Sequence, residues 1–360
     1  MTSHHRHFTF RRAAVWRTTI GLLAALPAVA AAQWQMADAG TRAEFRGLSL
    51  AGDHVAWASG RYGTVARSTD GGAQWTLFHV PGADSLDLRS IAALGPDAAV
   101  AASAGAAESG QARIFRTTDG GTTWTQVYAT RQKGVFLDAL AFWDADHGIA
   151  LSDPVDGKLF LLVTDDGGRS WARVPSDALP PALPGEGAFA ASGTCMVVGG
   201  TGDVWIGTGG AAHARVYHSS NRGHTWTVSD TPVHAGESAS GIFALAFRDA
   251  MHGVAVGGDY TKPHAQTMNV AITDDGGRTW HSARGPLVPA FLSGVTYARA
   301  DTLVAVGLAG TAISTNDGES WTAIDTLPLN AVRAHGSAFR VVAGPRGRLG
   351  RWIGTRGGGH

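Results

Sequence analysis

The stretch Thr117-Thr118-Asp119-Gly120-Gly121-Thr122-Thr123-Trp124 decides the fold, because it recurs. The same eight-residue pattern, Ser or Thr, any, Asp or Asn, any, Gly, any, any, Trp, returns at 68–75, 164–171, 219–226, 273–280 and 314–321. Successive Trp residues of the pattern lie 49, 47, 55, 54 and 41 positions apart. From ordinary residue usage, fewer than about one such match is expected in a chain of this length. Six copies at near-regular spacing therefore report a structural repeat.

The chemistry of the pattern is that of a tight hairpin. An Asp or Asn side chain folds onto backbone N–H groups ahead of it, Gly supplies positive φ, and the Ser or Thr hydroxyl braces the loop. Trp opens the next strand and buries a large ring with its N–H near a polar edge. Asp70, Asp119, Asp166, Asn221, Asp275 and Asn316 are accordingly read as turn formers. Trp75, Trp124, Trp171, Trp226, Trp280 and Trp321 are read as anchors, and none of the twelve as a catalytic group.

The flanks repeat as well. Leu140-Ala141-Phe142 and His147-Gly148-Ile149-Ala150-Leu151 precede one copy, and Leu245-Ala246-Phe247 and His252-Gly253-Val254-Ala255-Val256 precede another. A third strand leads into each motif and the Trp opens a fourth. Four short strands in about 40–50 residues make a β-propeller blade, and no helical periodicity competes. Units begin near Phe45, Arg89, Val135, Ala188, Gly241, Phe291 and Ala331. The seventh reaches Trp352 without its own motif, while Gln33-Trp34-Gln35 resembles Gln74-Trp75-Thr76, a fourth strand lacking a blade. The expected fold is all-β, a seven-bladed propeller over residues 33–354 whose N-terminal strand completes the last blade and removes an open edge.

Residues 1–32 read differently. They hold Arg6, Arg11, Arg12 and Arg17 and no acid, then the apolar run Ile20–Leu26, then Ala30-Ala31-Ala32. This is the layout of a cleaved secretory signal, so a soluble chain exported to the periplasm or secreted is expected, with no transmembrane segment after cleavage. Residues 355–360 read as a flexible tail. The 360-residue chain has 29 basic and 29 acidic residues, but without the leader the balance is 25 against 29. A mildly acidic chain is a poor nucleic-acid binder. The single Cys195 excludes an internal disulfide, a four-Cys zinc site and an iron–sulfur cluster. The His residues show no ligand spacing, so neither a metal nor a cofactor is expected, and no nucleophile elbow, P-loop or zinc-protease motif occurs.

The repeated motif resembles the Asp-box, or bacterial neuraminidase repeat, over residues 45–352. Within that group, the frame Phe142, Gly148, Ala150 followed by Thr164–Trp171 resembles the photosystem II stability/assembly factor family and its bacterial relatives. That resemblance implies a seven-bladed, non-enzymatic scaffold for protein assembly, and it carries no implication of photosynthesis. The alternative is a carbohydrate-active propeller, a sialidase-like hydrolase or a glycan binder. Against the hydrolase, the sialidase Phe/Tyr-Arg-Ile-Pro motif is absent and Tyr numbers only five.

Where the repeat departs from itself, polar residues collect. The loops opposite the motif turns carry Asp153, Asp156 and Lys158 in blade three and, at the end of the loop Asp203 to Arg215 in blade four, Arg215. Asp259, Tyr260 and Lys262 follow in blade five, and Glu186 lies on the connection entering blade four. These eight residues are the expected binding face, its mixture of charge and aromatic surface suiting a protein partner, with no catalytic residue among them.

Overall fold

The computed structural model describes residues 1–2, 33–288, 290–336 and 339–354. All but the first two residues of the expected export signal, and the tail at 355–360, lie outside the described residues. The chain divides into a short N-terminal unit, Met1–Ala30, and the unit Ala31–His360.

That second unit is a seven-bladed β-propeller of seven four-stranded antiparallel sheets. Blade three is representative: Leu137–Phe142, Gly148–Val155, Lys158–Thr164 and Ala172–Arg173, paired in sequence order. Blades one, two, four, five and six begin at Phe45, Asp87, Met196, Ser240 and Gly294. Blade seven holds Ala331–His335, Phe339–Ala343 and Leu349–Trp352, and its outer strand is Trp34–Ala37 from the other end of the chain. Trp34 pairs with Trp352, and Ala37 with Leu349.

Strand character changes across each blade because the environment does. The second strands of blades one, two and five are buried along their whole length, pressed between neighbouring sheets, and they read as unbroken small and apolar runs rather than alternating ones. Outer strands such as Thr76–His79 are largely exposed. The core is divided accordingly. Seven apolar clusters each join two adjacent blades, as Val100, Ile114 and Phe160 do between blades two and three. An eighth, of Phe189, Ala191, Phe243 and Phe291, belongs to no pair of sheets and sits at one end of the ring.

The repeated motif folds as its chemistry requires. In every copy the Ser or Thr hydroxyl donates to the Asp or Asn side chain two residues on, at 2.8–3.0 Å. The same hydroxyl accepts from the Gly N–H four residues on, at 2.9–3.2 Å. That Gly has φ between 78° and 94° in all six copies. Five of the six Trp rings donate Nε1–H to its carbonyl; Trp171 does not.

Two details depart from the sequence reading. Blade four was expected to begin near Ala188, but its first strand starts at Met196, and residues 188–195 run as a connection toward the ring's end. Asp203, expected in a loop beside Arg215, opens the second strand at the motif end and pairs with His218 at 3.0 Å.

Candidate functional site

In blades one, two, three and five the first strand carries a β-bulge at its inner end. The bulged residues are Arg46, Arg89, Asp138 and Phe243. A bulge leaves one residue out of the ladder and re-aims its side chain. In blades six and seven the corresponding places, just ahead of the first strand, hold Ser293 and Asn330. All six line a single cavity of about 450 Å³, together with Ala188–Ala191 from the connection into blade four. With six blades and the connection into the fourth represented, the cavity lies on the axis of the ring. Tyr260 and Leu308, which follow second strands, form its rim, so it opens at the end opposite the motif turns.

Its walls differ in chemistry. On blades one and two, Arg46 bonds Glu44 at 2.7 Å and Arg89 bonds Asp87 at 2.8 Å. On blade three, Asp138 is 1% exposed and its Oδ2 has no hydrogen-bond partner. Beside it, Asp153 accepts from the Ala188 N–H at 2.9 Å. Burial, with the neighbouring Asp153 adding to it, pushes the Asp138 carboxyl well above the usual carboxylate range. Burial raises Asp153 to about 6.

Blades four to six supply an aromatic wall. Phe189 stacks on Phe243 with ring centroids 3.9 Å apart, Phe291 meets Phe243 edge-on at 4.6 Å, and Tyr260 approaches both. Phe189 is held over a junction where Gly187, Gly209 and Gly241 bridge one another. A Cβ on Gly241 would collide with Gly209 Cα and crowd the Phe189 ring, so the backbone approach requires glycine.

The eight residues expected at the binding face separate into four groups. Asp153 and Tyr260 line the axial cavity, and Tyr260 is 48% exposed. Glu186 and Arg215 do not reach it, forming instead a buried ion pair. Glu186 Oε1 also accepts from Thr208 Oγ1 at 2.6 Å, and Oε2 from the Leu183 N–H at 2.7 Å and the Tyr217 hydroxyl at 3.1 Å. This network ties the connection to blade four, a bracing role. Asp259 is buried as well, bonding the Thr261 N–H and hydroxyl and pairing with Lys262 at 3.1 Å, which holds the Tyr260 loop in shape. Asp156 and Lys158 flank a tight turn in which Asp156 has φ 53°, and Lys158 caps the Leu179 carbonyl at 2.7 Å. Neither lines the cavity.

Sequence reasoning missed Arg46, Arg89, Asp138, Phe243, Ser293 and Asn330. The signal was present as an apolar residue, the site residue, then a small one: Phe45-Arg46-Gly47, Leu88-Arg89-Ser90, Leu137-Asp138-Ala139, Ile242-Phe243-Ala244, Leu292-Ser293-Gly294, Leu329-Asn330-Ala331. The small residue is needed where first strands converge. A Cβ on Gly47 would lie 3.1 Å from the blade-two backbone, and Ser90 Oγ accepts from the Leu140 N–H at 2.9 Å.

Among the described residues no group of three or more His, Cys, Asp or Glu is placed to hold a metal ion. No described helix is long and apolar enough to cross a membrane.

Fold and cavity together define a seven-bladed propeller with an axial pocket at one end. Solved structures resemble it in fold. YCF48 bound to D1 peptide superposes with a TM-score of 0.63 at 13% identity, over 92% of this chain and 99% of the other. YCF48 from Cyanidioschyzon merolae gives 0.63 at 15% identity, over 89% and 98%. The GH74 xyloglucanase from Xanthomonas campestris gives 0.58 at 17% identity, over 91% of this chain but 55% of the enzyme. At such identities the likeness is one of fold. No protein-family model and no curated protein sequence matches the chain.

Proposed function

We propose that this chain is an exported, non-enzymatic assembly scaffold that docks a segment of another protein on its axial mouth, in the manner of photosystem II assembly factors. The observation that carries the proposal is the mouth itself. It is a concave site drawing on six blades and the connection into the fourth, with an exposed Tyr260 at the rim, aromatic rings on one side and charged groups on the other. Large amphipathic aromatics beside charge are what protein recognition uses. The likeness to YCF48, one structure of which holds a D1 peptide, supports the same reading over nearly the whole of both chains. Export follows from residues 1–32, and the repeated motif is that of the Asp-box on the reading given above.

Affinity capture by the full chain from extracts of its own cells, read by mass spectrometry, tests the proposal. A partner retained by the wild type and by Asp119→Ala, but lost with Tyr260→Ala at unchanged melting temperature, supports axial docking. Capture indifferent to Tyr260→Ala overturns it.

One observation favours a carbohydrate-active propeller as the second reading: Asp138 and Asp153 share the concave mouth. Paired carboxylates in glycosidases must both reach the scissile bond, whereas Asp138 Oδ2 is sealed from solvent. Release of reducing sugar from xyloglucan, abolished by Asp153→Asn, would establish that reading instead.

A further inference from the structure

The charges of the axial cavity are unevenly matched. Both arginines already have carboxylate partners, Glu44 for Arg46 and Asp87 for Arg89, and Arg61 lies within 3.5 Å of both acids. The aspartates of blade three have no cation within ion-pairing distance among the described residues. Asp153 holds only the Ala188 N–H, and Asp138 leaves a buried oxygen unpartnered. The partly exposed Asp153 carboxylate, bonded by that one donor, keeps lone pairs free for a ligand of the right charge. Against these two carboxyl groups stand Phe189, Phe243, Phe291 and Tyr260. Aromatic faces beside uncompensated negative charge suit a cation on an apolar stem, whose methylenes pack on the rings while its head meets the carboxylate.

We infer that the axial cavity receives a basic side chain, lysine or arginine, projecting from the docked segment. The inference rests on the docking reading above and specifies what that site recognises. Asp153 is the group in front, partly exposed, and meets the cation directly; Asp138 lies behind it, where burial holds its carboxyl toward the neutral form, so the charge that meets the cation is that of Asp153. The ionisable groups facing this pair are Arg89 on blade two and the buried Cys195 thiol ahead of blade four. An acidic ligand would have to displace Glu44 and Asp87 from the arginines, so the opposite polarity is disfavoured. Because burial raises Asp153 to about 6, recognition weakens as the carboxyl takes up its proton.

The test uses the full chain and four small probes, followed by NMR titration: N-acetyl-arginine amide, N-acetyl-lysine amide, the neutral N-acetyl-norleucine amide and the acidic N-acetyl-glutamate amide. At pH 7.5 the two basic probes should bind at least about tenfold more tightly than norleucine. Their affinity should fall about tenfold by pH 5, as expected for a group one unit from its pKa. Asp153→Asn should abolish both the preference and its pH dependence. Asp138→Asn serves as a second variant, each checked by its melting temperature. Equal binding of norleucine, tighter binding of the glutamate probe, or an arginine affinity unchanged by pH and by both variants overturns the inference. If partner capture falls with Tyr260→Ala yet ignores Asp153→Asn, axial docking stands and the basic-side-chain inference fails. If neither substitution alters capture, both fail.

Discussion

Trp34 and Trp352, at opposite ends of the described propeller, meet edge to face with ring centroids 4.9 Å apart and planes at 79°. They are directly paired across the seam of blade seven, and Trp34 Nε1 also donates to Thr311 Oγ1 of blade six at 3.1 Å. One residue near the start of the ring therefore fastens its last two blades.

Removing residues 33–40, or replacing Trp34 with Ala, should lower unfolding free energy by about 3–5 kcal/mol, the usual cost of a buried aromatic. The truncation also opens an unpaired edge on the strand Leu349–Trp352, so it should aggregate on heating. Urea titration and light scattering check this. A truncated chain as stable as the intact one would show that the seam is closed by other contacts.

The motif turns sit at the far end from the cavity, so their loss should be felt in stability alone. Asp119 Oδ1 accepts from the Thr123 N–H at 2.9 Å, and Oδ2 from the Thr123 hydroxyl at 2.6 Å. Asp119→Ala should lower the melting temperature by about 2–4 °C and leave partner capture intact. Calorimetry beside the capture assay separates the two effects.

Glu186 and Arg215 give a sharper outcome. The Glu186 side chain is completely buried, and each of its oxygens has at least two donors. Arg215→Met should cost about 3–5 kcal/mol, because it strands a carboxylate in the interior. Replacing Glu186 and Arg215 together by Leu and Met should cost much less than the two single changes summed. A double-mutant cycle in urea measures this coupling.

Asp153 makes stability depend on pH in the direction opposite to most carboxylates. Burial raises its pKa from an ordinary 3.8 to about 6. Between these values the folded chain keeps a proton that the unfolded chain has released. The stability contributed is therefore full below about pH 4 and is lost as pH rises through 6. Asn in its place still accepts from the Ala188 N–H. At pH 7.5 Asp153→Asn should thus be more stable than the wild type by about 1–2 kcal/mol, and at pH 4 nearly equal to it. Denaturant titrations at the two pH values check the sign. A destabilised variant at pH 7.5 would show that the carboxylate is compensated in a way the geometry does not reveal.

The fold was legible because its determinants are local. A hydroxyl, an Asx side chain and a positive-φ glycine build one turn from adjacent residues, and six repeats of that turn count six blades. The seventh followed from Trp34 resembling a fourth strand without a blade, and Trp34 does pair with Trp352. The site was legible only in part, because a charge that binds and a charge that braces look alike in a sequence. Glu186 stands on a connection and Arg215 and Asp259 at strand ends of the expected face, yet folding turns them inward onto partners that no spacing rule connects. Asp138 was hidden for the converse reason. It lies inside the strand Leu137–Phe142, where an alternating pattern assigns it to a sheet face, and only the bulge between Leu137 and Ala139 directs it to the axis.

The bulges have an evolutionary consequence. Arg46, Arg89, Asp138 and Phe243 occupy equivalent places, yet they are two cations, a carboxyl group and a hydrocarbon ring. Such diversity is tolerated because a bulged side chain answers to no cross-strand partner, while the small residue after it secures the convergence of the strands. The ring thus behaves as a short word whose letters can be exchanged singly. Descendants of this scaffold could acquire new specificities by spelling changes at the axis, leaving the turns, the seam and the inter-blade cores as they are.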